Sequence, residues 1–451
     1  MGRLLVVLTG MIMTTLELVP VSAAVPGIRV GLRMGAAAAT LIVPAFGVTY
    51  AAALVGGGRL GDRYGRRRLF TIGLAVLTLA SAACGLAPTP VVLLAGRVMQ
   101  GTGGALLAPQ VPALLAASFT GTHRKRAFRL IAVLTGVAAM FGQLLAGLLM
   151  GLGQQWRAVF LVNLPIGVLC LATVRWVLPR TPGAGRRTAD PLGAFLLAVA
   201  LGVVVAVLAV GAQLGWPAWL WPVPLLAIPP LLWLGYRHRA GRAAGEPPSL
   251  LRQRGVLVAV AISFCFFAIS AGLLIGVVLY LRLACGMSAV GSGLALVPFG
   301  IGFFVMAGRA PALVARQGRE VLSSGVLVLA VGQLLLALTV LHVSGSDTAA
   351  WLAVGLLVAG GGAGLVTGEL SPIVLGALPP ELAPRMVGLL STIRESAKVL
   401  GAAAAGAVVF SVLGHGPRSV AAVFQFGLVL LALSAVGVAV LVLFLPSDEQ
   451  A

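Results

Sequence analysis

The chain has 451 residues, 60% of them hydrophobic and 9% charged, with a mean hydropathy of +1.08 and a formal net charge of +20 at pH 7. A surface of that composition cannot be kept in water, so a soluble chain is excluded and a polytopic membrane protein is expected. The positive excess does not signify nucleic acid, because the basic residues fall in alternate loops: 23 on one side, 5 on the other, and Arg97, Arg394 and Lys398 inside apolar runs. The rich side is cytoplasmic by the positive-inside rule, which places both termini inside.

Apolar runs long enough to cross a ~30 Å hydrocarbon core occur at about 3–27, 36–58, 68–87, 90–116, 128–152, 157–178, 190–213, 216–236, 255–283, 288–310, 321–342, 349–376, 385–413 and 418–446, giving fourteen spans. Span 8 is interrupted by Pro217, Pro222, Pro224, Pro229 and Pro230. Arg-, Gly- and Pro-rich shifts at Pro179 to Asp190 and Tyr236 to Gly255 set spans 7 and 8 apart from two blocks of six. The expected architecture is therefore all-α and 6+2+6: an N-terminal bundle over 1–180, two inserted helices over 181–250 and a C-terminal bundle over 251–451. Trp156, Trp176, Trp216, Trp219, Trp221, Trp233 and Trp351 lie near span ends, as an interfacial belt requires. Cys84, Cys170, Cys265 and Cys285 are far apart and suggest neither a disulfide framework nor a metal site. Ser22, Ala23 and Ala24 mimic a signal-peptidase site, but the run is long, carries Glu17 and is followed by many more spans, so it reads as an uncleaved first helix.

Span 1 carries Glu17, about 13 residues in and roughly 20 Å along at ~1.5 Å per residue, near mid-membrane. Burial there disfavours the charged form of a carboxyl, which suits proton exchange. Pro20 removes the N–H that would bond the Leu16 carbonyl, leaving a bendable polar spot beside the acid. The stretch Leu16 to Pro26 resembles the helix 1 motif of the fourteen-helix drug:proton antiporters. Glu17 stands where that motif usually has aspartate, and alanine replaces its asparagine. A structural ion pair of Glu17 with Arg97 is the competing account.

Between spans 2 and 3, Gly58 to Arg68 holds five arginines and Asp62. The stretch reads as a tight cytoplasmic turn, with Gly58, Gly61 and Gly65 bending the backbone where helices crowd. Asp62 can meet a helix N-terminus or an arginine. An ordinary positive-inside loop would explain the arginines but neither Asp62 nor the glycines. This stretch resembles the loop 2-3 signature of the major facilitator superfamily, which implies a conformational switch at Gly58, Asp62, Arg63, Gly65 and Arg66. The resemblance further implies that Asp62 engages the N-terminus of span 13 when the protein opens outward.

Span 4 holds Arg97, Gln100, Gly101, Gly103 and Gly104. A charge inside a span costs about 2.5–3.5 kcal/mol on insertion scales and needs an interior partner, unless the arginine snorkels to an interface. The run resembles the superfamily's helix 4 signature, whose arginine takes part in proton coupling. In span 5, Gly142, Gln143 and Gly147 stand where exporters carry a Gly-Pro and paired-glycine signature. Gln143 takes the proline position, and the small-residue face still suits close helix packing. Trp156 to Gly167, including Asn163 and Pro165, is similar to the opening of helix 6 in the fourteen-helix branch. Arg309 to Glu320 is a degenerate echo of the first signature, with Gly318 and Arg319 placed after span 10 as Gly65 and Arg66 are after span 2.

In the C-terminal half, Glu369 is the second candidate proton or cation site, with Pro372 nearby breaking the span and an ion pair with Arg394 as the alternative. Arg394, Glu395 and Lys398 share one side of span 13 and can pair. They line a central cavity if the span starts at Arg385 and are interfacial if it starts near Ala397. The resemblance implies a fourteen-helix facilitator that exports a drug or antibiotic across a bacterial cell membrane, driven by a proton gradient without a cofactor. Its expected partners are a small-molecule substrate and the lipid bilayer, with no nucleic acid, and the expected state is a monomer. A single-metabolite permease is the nearest alternative. A membrane enzyme or sensor would need a catalytic constellation, and His123, His238, His342 and His415 lie only in loops or at helix ends; no catalytic or metal residue is expected.

Overall fold

A computed structural model describes residues 2–17, 19–119, 142, 145, 148, 149, 156–179, 190–239, 254–342, 348–370, 373, 383–412 and 416–444. Regular structure among these residues is helical. The helices are α1 (Gly2–Leu16), α2 (Val19–Gly31), α3 (Ala36–Tyr64), α4 (Arg66–Gly85), α5 (Pro90–Leu107), α6 (Gln110–Ser118), α7 (Ala158–Leu161), α8 (Asn163–Val177), α9 (Pro191–Leu214) and α10 (Ile228–Arg239). After them come α11 (Arg254–Leu283), α12 (Ala289–Ala295), α13 (Val297–Gln317), α14 (Glu320–His342), α15 (Thr348–Thr367), α16 (Ala383–Ser411) and α17 (Pro417–Val442). Ten stretches of the described residues are long and apolar enough to cross a membrane, and Leu4–Thr14 and Trp351–Thr367 are shorter apolar helices. Most of span 5 lies outside the described residues.

Several spans are broken where prolines or polar groups dictate. Span 1 divides into α1 and α2 at Glu17, beside Pro20, rather than running unbroken over 3–27. Span 4 opens with Thr89 as N-cap, its hydroxyl accepting from the Val92 N–H, and Pro90 in the first turn. It breaks at Ala108 and Pro109 before α6. The proline-laden span 8 becomes two short 3-10 turns, Ala218–Leu220 and Val223–Ala227, followed by α10. Asp190 caps α9 by accepting from the Gly193 N–H at 2.9 Å and pairs with Arg237 of α10 at 3.0 Å, which ties the start of the inserted pair to its end.

The chain forms two compact units, Met1–Val210 with Trp216–Gly245, and Gly211–Gly215 with Glu246–Ala451. In the first unit α5 packs on both α3 and α4, and α8 packs on α1 and α4. Val7, Met13, Phe70, Leu74, Leu77, Leu107 and Cys170 form its apolar centre. In the second unit α15 packs on both α13 and α14, while α11 packs on α16 and α17. The two units thus repeat one packing scheme, as internal structural repeats do. Large apolar side chains left exposed on the helices, among them Leu79, Val91, Leu169, Leu232 and Phe426, suit contact with lipid.

The glycines of the loop signature do a different job from the turning expected of all three. Helix α3 runs through Gly58 and Asp62 to Tyr64, and the turn is Gly65 alone, at φ 96°. Gly318, at φ 58°, ends α13 before α14, and each glycine bonds its N–H to the carbonyl four residues back, Gly61 for Gly65 and Val314 for Gly318, so the echo seen in the sequence is a positive-φ glycine cap at both places. Trp156 also departs from the expected belt: it is buried against Gly27 and Gly31 of α2 and edge-on to Phe160. Trp176, Trp219, Trp221, Trp233 and Trp351 are exposed.

Close backbone contact holds the helix trios. A Cβ on Gly360 of α15 would collide with the Phe299 carbonyl of α13, whereas one on Gly437 of α17 would meet nothing within 4 Å. Gly360→Val is therefore expected to cost about 1–3 kcal/mol and to lower the melting temperature of the detergent-solubilised protein, with Gly437→Ala indistinguishable from wild type. Equal melting of the two variants would contradict the tight α13–α15 crossing.

Candidate functional site

The break between α1 and α2 places Glu17 inside the first unit, 1% exposed, opposite Arg97 of α5, 0% exposed. Arg97 Nη1 donates to Glu17 Oε2 at 2.8 Å and to Gln100 Oε1 at 2.9 Å. Its Nη2 donates to the Glu17 carbonyl at 2.8 Å, and its Nε donates to the Ile42 carbonyl of α3 at 3.0 Å. The guanidinium also lies 4.9 Å from the Phe46 ring centroid and 5.9 Å from that of Phe160, within reach of both π-faces. The other carboxylate oxygen, Oε1, accepts from Ser81 Oγ of α4 at 3.1 Å and from Asn163 Nδ2 of α8 at 2.8 Å. Gln100 Nε2 donates to Ser81 Oγ at 2.9 Å, which closes a ring of Glu17, Ser81, Gln100 and Arg97. The Cys84 thiol lies beside the ring, 3.4 Å from Gln100 Oε1.

Glycine makes this reach possible. A Cβ on Gly101 would strike the Phe46 carbonyl and Thr49 Oγ1, so α5 lies against α3 closely enough for Arg97 to meet Ile42 and for Thr49 Oγ1 to donate to the Val98 carbonyl at 3.1 Å. Glu17 and Arg97 form a buried ion pair. Ser81, Gln100 and Asn163 were given no role by sequence reasoning.

A second polar cluster holds the α3–α4 corner. Asp62 pairs with Arg66 one turn along, Arg66 Nη1 donates to Gln110 Oε1 at 3.2 Å, and Gln110 Nε2 donates to the Gly57 and Leu106 carbonyls at 2.8 and 2.9 Å. Gln110 is fully buried, with its amide against Gly61. Gly58 lies 3.6 Å from Pro109, measured from the position a Cβ would take. Arg63 is exposed, its guanidinium 5.2 Å from the Tyr64 ring centroid. Arg67 donates to the Leu178 and Arg175 carbonyls at 3.1 and 2.7 Å, capping the end of α8.

The other predicted residues are dispersed. Glu369 does not sit inside a helix; it lies in the turn after α15, because that helix ends at Thr367. Among the described residues no ion pair joins it to Arg394. On α16, Lys398 donates to Glu395 at 2.8 Å, and the Arg394 and Lys398 cations lie 5.5 and 5.6 Å from the Phe267 ring centroid of α11. Gly142 is helical, and Gln143 and Gly147 fall outside the described residues. Among the described residues no group of three or more His, Cys, Asp or Glu side chains could hold a metal ion.

Helical units with repeated packing, exposed apolar side chains and a buried ion pair are features of a multi-pass membrane protein. A sequence model described as Major Facilitator Superfamily matches residues 4–402, and the chain belongs to that superfamily. It is 32% identical over 417 residues to a probable actinorhodin transporter of Streptomyces coelicolor, covering 91% of this chain and 72% of that one. Identity to the methylenomycin A resistance protein of the same organism is 32% over 411 residues, covering 89% and 84%. Identity to the multidrug resistance protein Stp of Mycobacterium tuberculosis is 29% over 408 residues, covering 89% and 74%. Among solved structures, a bacterial homologue of the human drug peptide transporters PepT1 and PepT2 superposes with a TM-score of 0.69 at 16% identity, covering 98% of this chain and 97% of the other. The nucleoside transporter NupG superposes with a TM-score of 0.68 at 11% identity, covering 99% and 100%. These two similarities establish the fold alone.

Removing one member of a buried pair leaves the other uncompensated, at a cost of about 3–5 kcal/mol. Arg97→Gln is expected to destabilise the protein to that extent, and Glu17→Gln added to it should recover most of the loss in a double-mutant melting cycle. Additive losses would show that the pair is not coupled.

Proposed function

We propose that the protein exports small amphipathic molecules of the drug or antibiotic kind across the cytoplasmic membrane in exchange for protons. The sealed Glu17–Arg97 cluster is the observation that carries this reading. A carboxylate and a guanidinium in a dry bundle are retained at an energetic cost that hydrophobic residues would avoid, and intramembrane acids mark proton pathways. The cluster also tolerates loss of the acid's charge. When Glu17 takes a proton, Arg97 keeps three neutral acceptors, the Ile42 and Glu17 carbonyls and Gln100 Oε1, together with two aromatic faces. Neutralisation therefore loosens the link between the α1–α2 break and α5 without leaving the arginine bare.

In this mechanism a proton from outside discharges Glu17, and binding of substrate from the cytoplasmic side favours its release inward. The bundles of 1–180 and 251–451 are the moving bodies, and 181–250 is an insert. Asp62, Arg66 and Gln110 hold the α3–α4 corner as the switch, and Arg394, Glu395, Lys398 and Glu369 are further charges available to the transport path. The energy source is the proton gradient, without a cofactor, and the chain acts as a monomer in the lipid bilayer with both termini cytoplasmic. It is a transporter and not an enzyme. The antibiotic and drug relatives support the substrate class and the outward direction.

The test is uptake of a lipophilic dye or an antibiotic into inverted vesicles with an acidic interior. Wild type is expected to accumulate the compound only with the gradient. Glu17→Gln should lose gradient-driven uptake, and Asp62→Asn should slow transport while inserting normally. Uptake that ignores the gradient, or an unaffected Glu17→Gln, would refute the coupling role and favour a permease for one metabolite.

A further inference from the structure

Among the groups that hold the Glu17 carboxylate, one has a face that no described residue uses. Asn163, the first residue of α8, is 2% exposed; its Nδ2 donates to Glu17 Oε1 at 2.8 Å, and its buried Oδ1 has no hydrogen-bond partner among the described residues. A buried carbonyl oxygen left in that state is uncommon and costly. The orientation itself is dictated by charge, since the amide oxygen turned toward a carboxylate would meet a second acceptor.

We infer that the Asn163 carboxamide is a two-position partner of the Glu17 carboxyl, donating its N–H to the carboxylate and, after a half-turn, accepting the O–H of the protonated acid through Oδ1. The inference rests on the reading of Glu17 as the coupling acid. When the site opens to the aqueous side, a hydronium ion gives its proton to Oε1 and leaves as water, so that an O–H bond forms and the carboxylate is discharged. The N–H of Asn163 then faces a hydrogen, and the half-turn about Cβ–Cγ replaces that clash with an O–H···O bond. Amide nitrogen and oxygen are nearly equal in size, so the turn needs no repacking. In each position half of the carboxamide serves the acid and half is idle, so the two positions differ mainly in the charge they suit. Release of the proton reverses the turn.

The neighbours of Glu17 leave this task to Asn163. Arg97 and Gln100 come from α5, Ser81 and the Cys84 thiol from α4, and α3 contributes the Ile42 carbonyl that holds Arg97. Arg97 has donors alone. Ser81 is the rival acceptor, but its hydroxyl lies farther away at 3.1 Å, is also 2.8 Å from the Leu77 carbonyl and already accepts from Gln100. Asn163 is thus a positioning residue for the proton-carrying acid, and its signature is in the proton affinity of Glu17 rather than in folding.

Infrared difference spectroscopy of the purified full-length transporter during a pH titration reads that affinity directly. Wild type is expected to show a carboxylic C=O band that Glu17→Gln removes. In Asn163→Leu, close in volume and apolar, the midpoint of that band should move up by about half to one pH unit, because a hydrogen bond to a charged acceptor is stronger than the neutral one exchanged for it. Asn163→Gln, which keeps both faces, should return the midpoint toward wild type, and Asn163→Ala provides the same measurement if the leucine variant does not fold. A midpoint that stays put or moves down in the leucine and alanine variants, or one that moves in Ser81→Ala and not in Asn163→Leu, overturns the role of Asn163 while leaving Glu17 as the coupling acid. If Glu17→Gln removes no titrating band, both readings fall.

Discussion

A carboxylate and a guanidinium shut inside a helical bundle constrain everything around them. Neither can be left without partners in a medium that supplies no water, so the surrounding chain must provide them. It does so from α3, α4, α5, α8 and the α1–α2 break, and that requirement fixes how these helices lie. The break at Glu17 exposes a backbone carbonyl for Arg97, and Pro20 makes the break cheap. The Glu17–Arg97 pair is thus an explanation for local backbone shape as well as a functional group.

Reach is the second constraint. Arginine can touch α1 and α3 at once because α5 lies against α3 with no side chain between the backbones at Gly101, and Gln100 then falls within reach of Ser81 on α4. Small residues in a membrane bundle supply the packing that hydrophobic burial cannot, since lipid is as apolar as leucine. The same crowding explains why Gly61 in the loop signature faces the Gln110 amide inside a helix contact. Turning is left to Gly65, the residue with positive φ in that stretch.

The apolar runs, the proline-broken eighth span and the matched glycine caps at Gly65 and Gly318 were legible because each is a local property of the sequence. So were Glu17 and Arg97, as charges in the wrong solvent. The helix break at Glu17, the burial of Trp156 and the position of Glu369 past the end of α15 were not, since each depends on which neighbour packs there. Ser81 left no sequence signal, and Gln100 and Asn163 stood within motif resemblances that did not point to Glu17: neutral polar side chains in apolar helices hardly change hydropathy. Their partnership spans up to 146 residues along the chain, from Asn163 back to Glu17, and is made only by the fold.

The repeated packing of the two units invites a comparison of their fully buried polar groups. Gln333 on α14 lies fifteen residues beyond Gly318, much as Ser81 on α4 lies sixteen beyond Gly65, so the second unit has a polar side chain at nearly the corresponding depth. It is fully buried, and neither its amide nitrogen nor its amide oxygen has a partner among the described residues. In the first unit the same region is wired to a charged pair through Gln100 and Arg97. Among the described residues the helix contacts are repeated, while the buried pair of Glu17 and Arg97 is found in the first unit. At this depth one unit holds a buried acid and base, and the other holds a neutral amide. Under the proposed coupling, that difference between two similar frames is what a protonation event would act on to favour one arrangement of the chain over another.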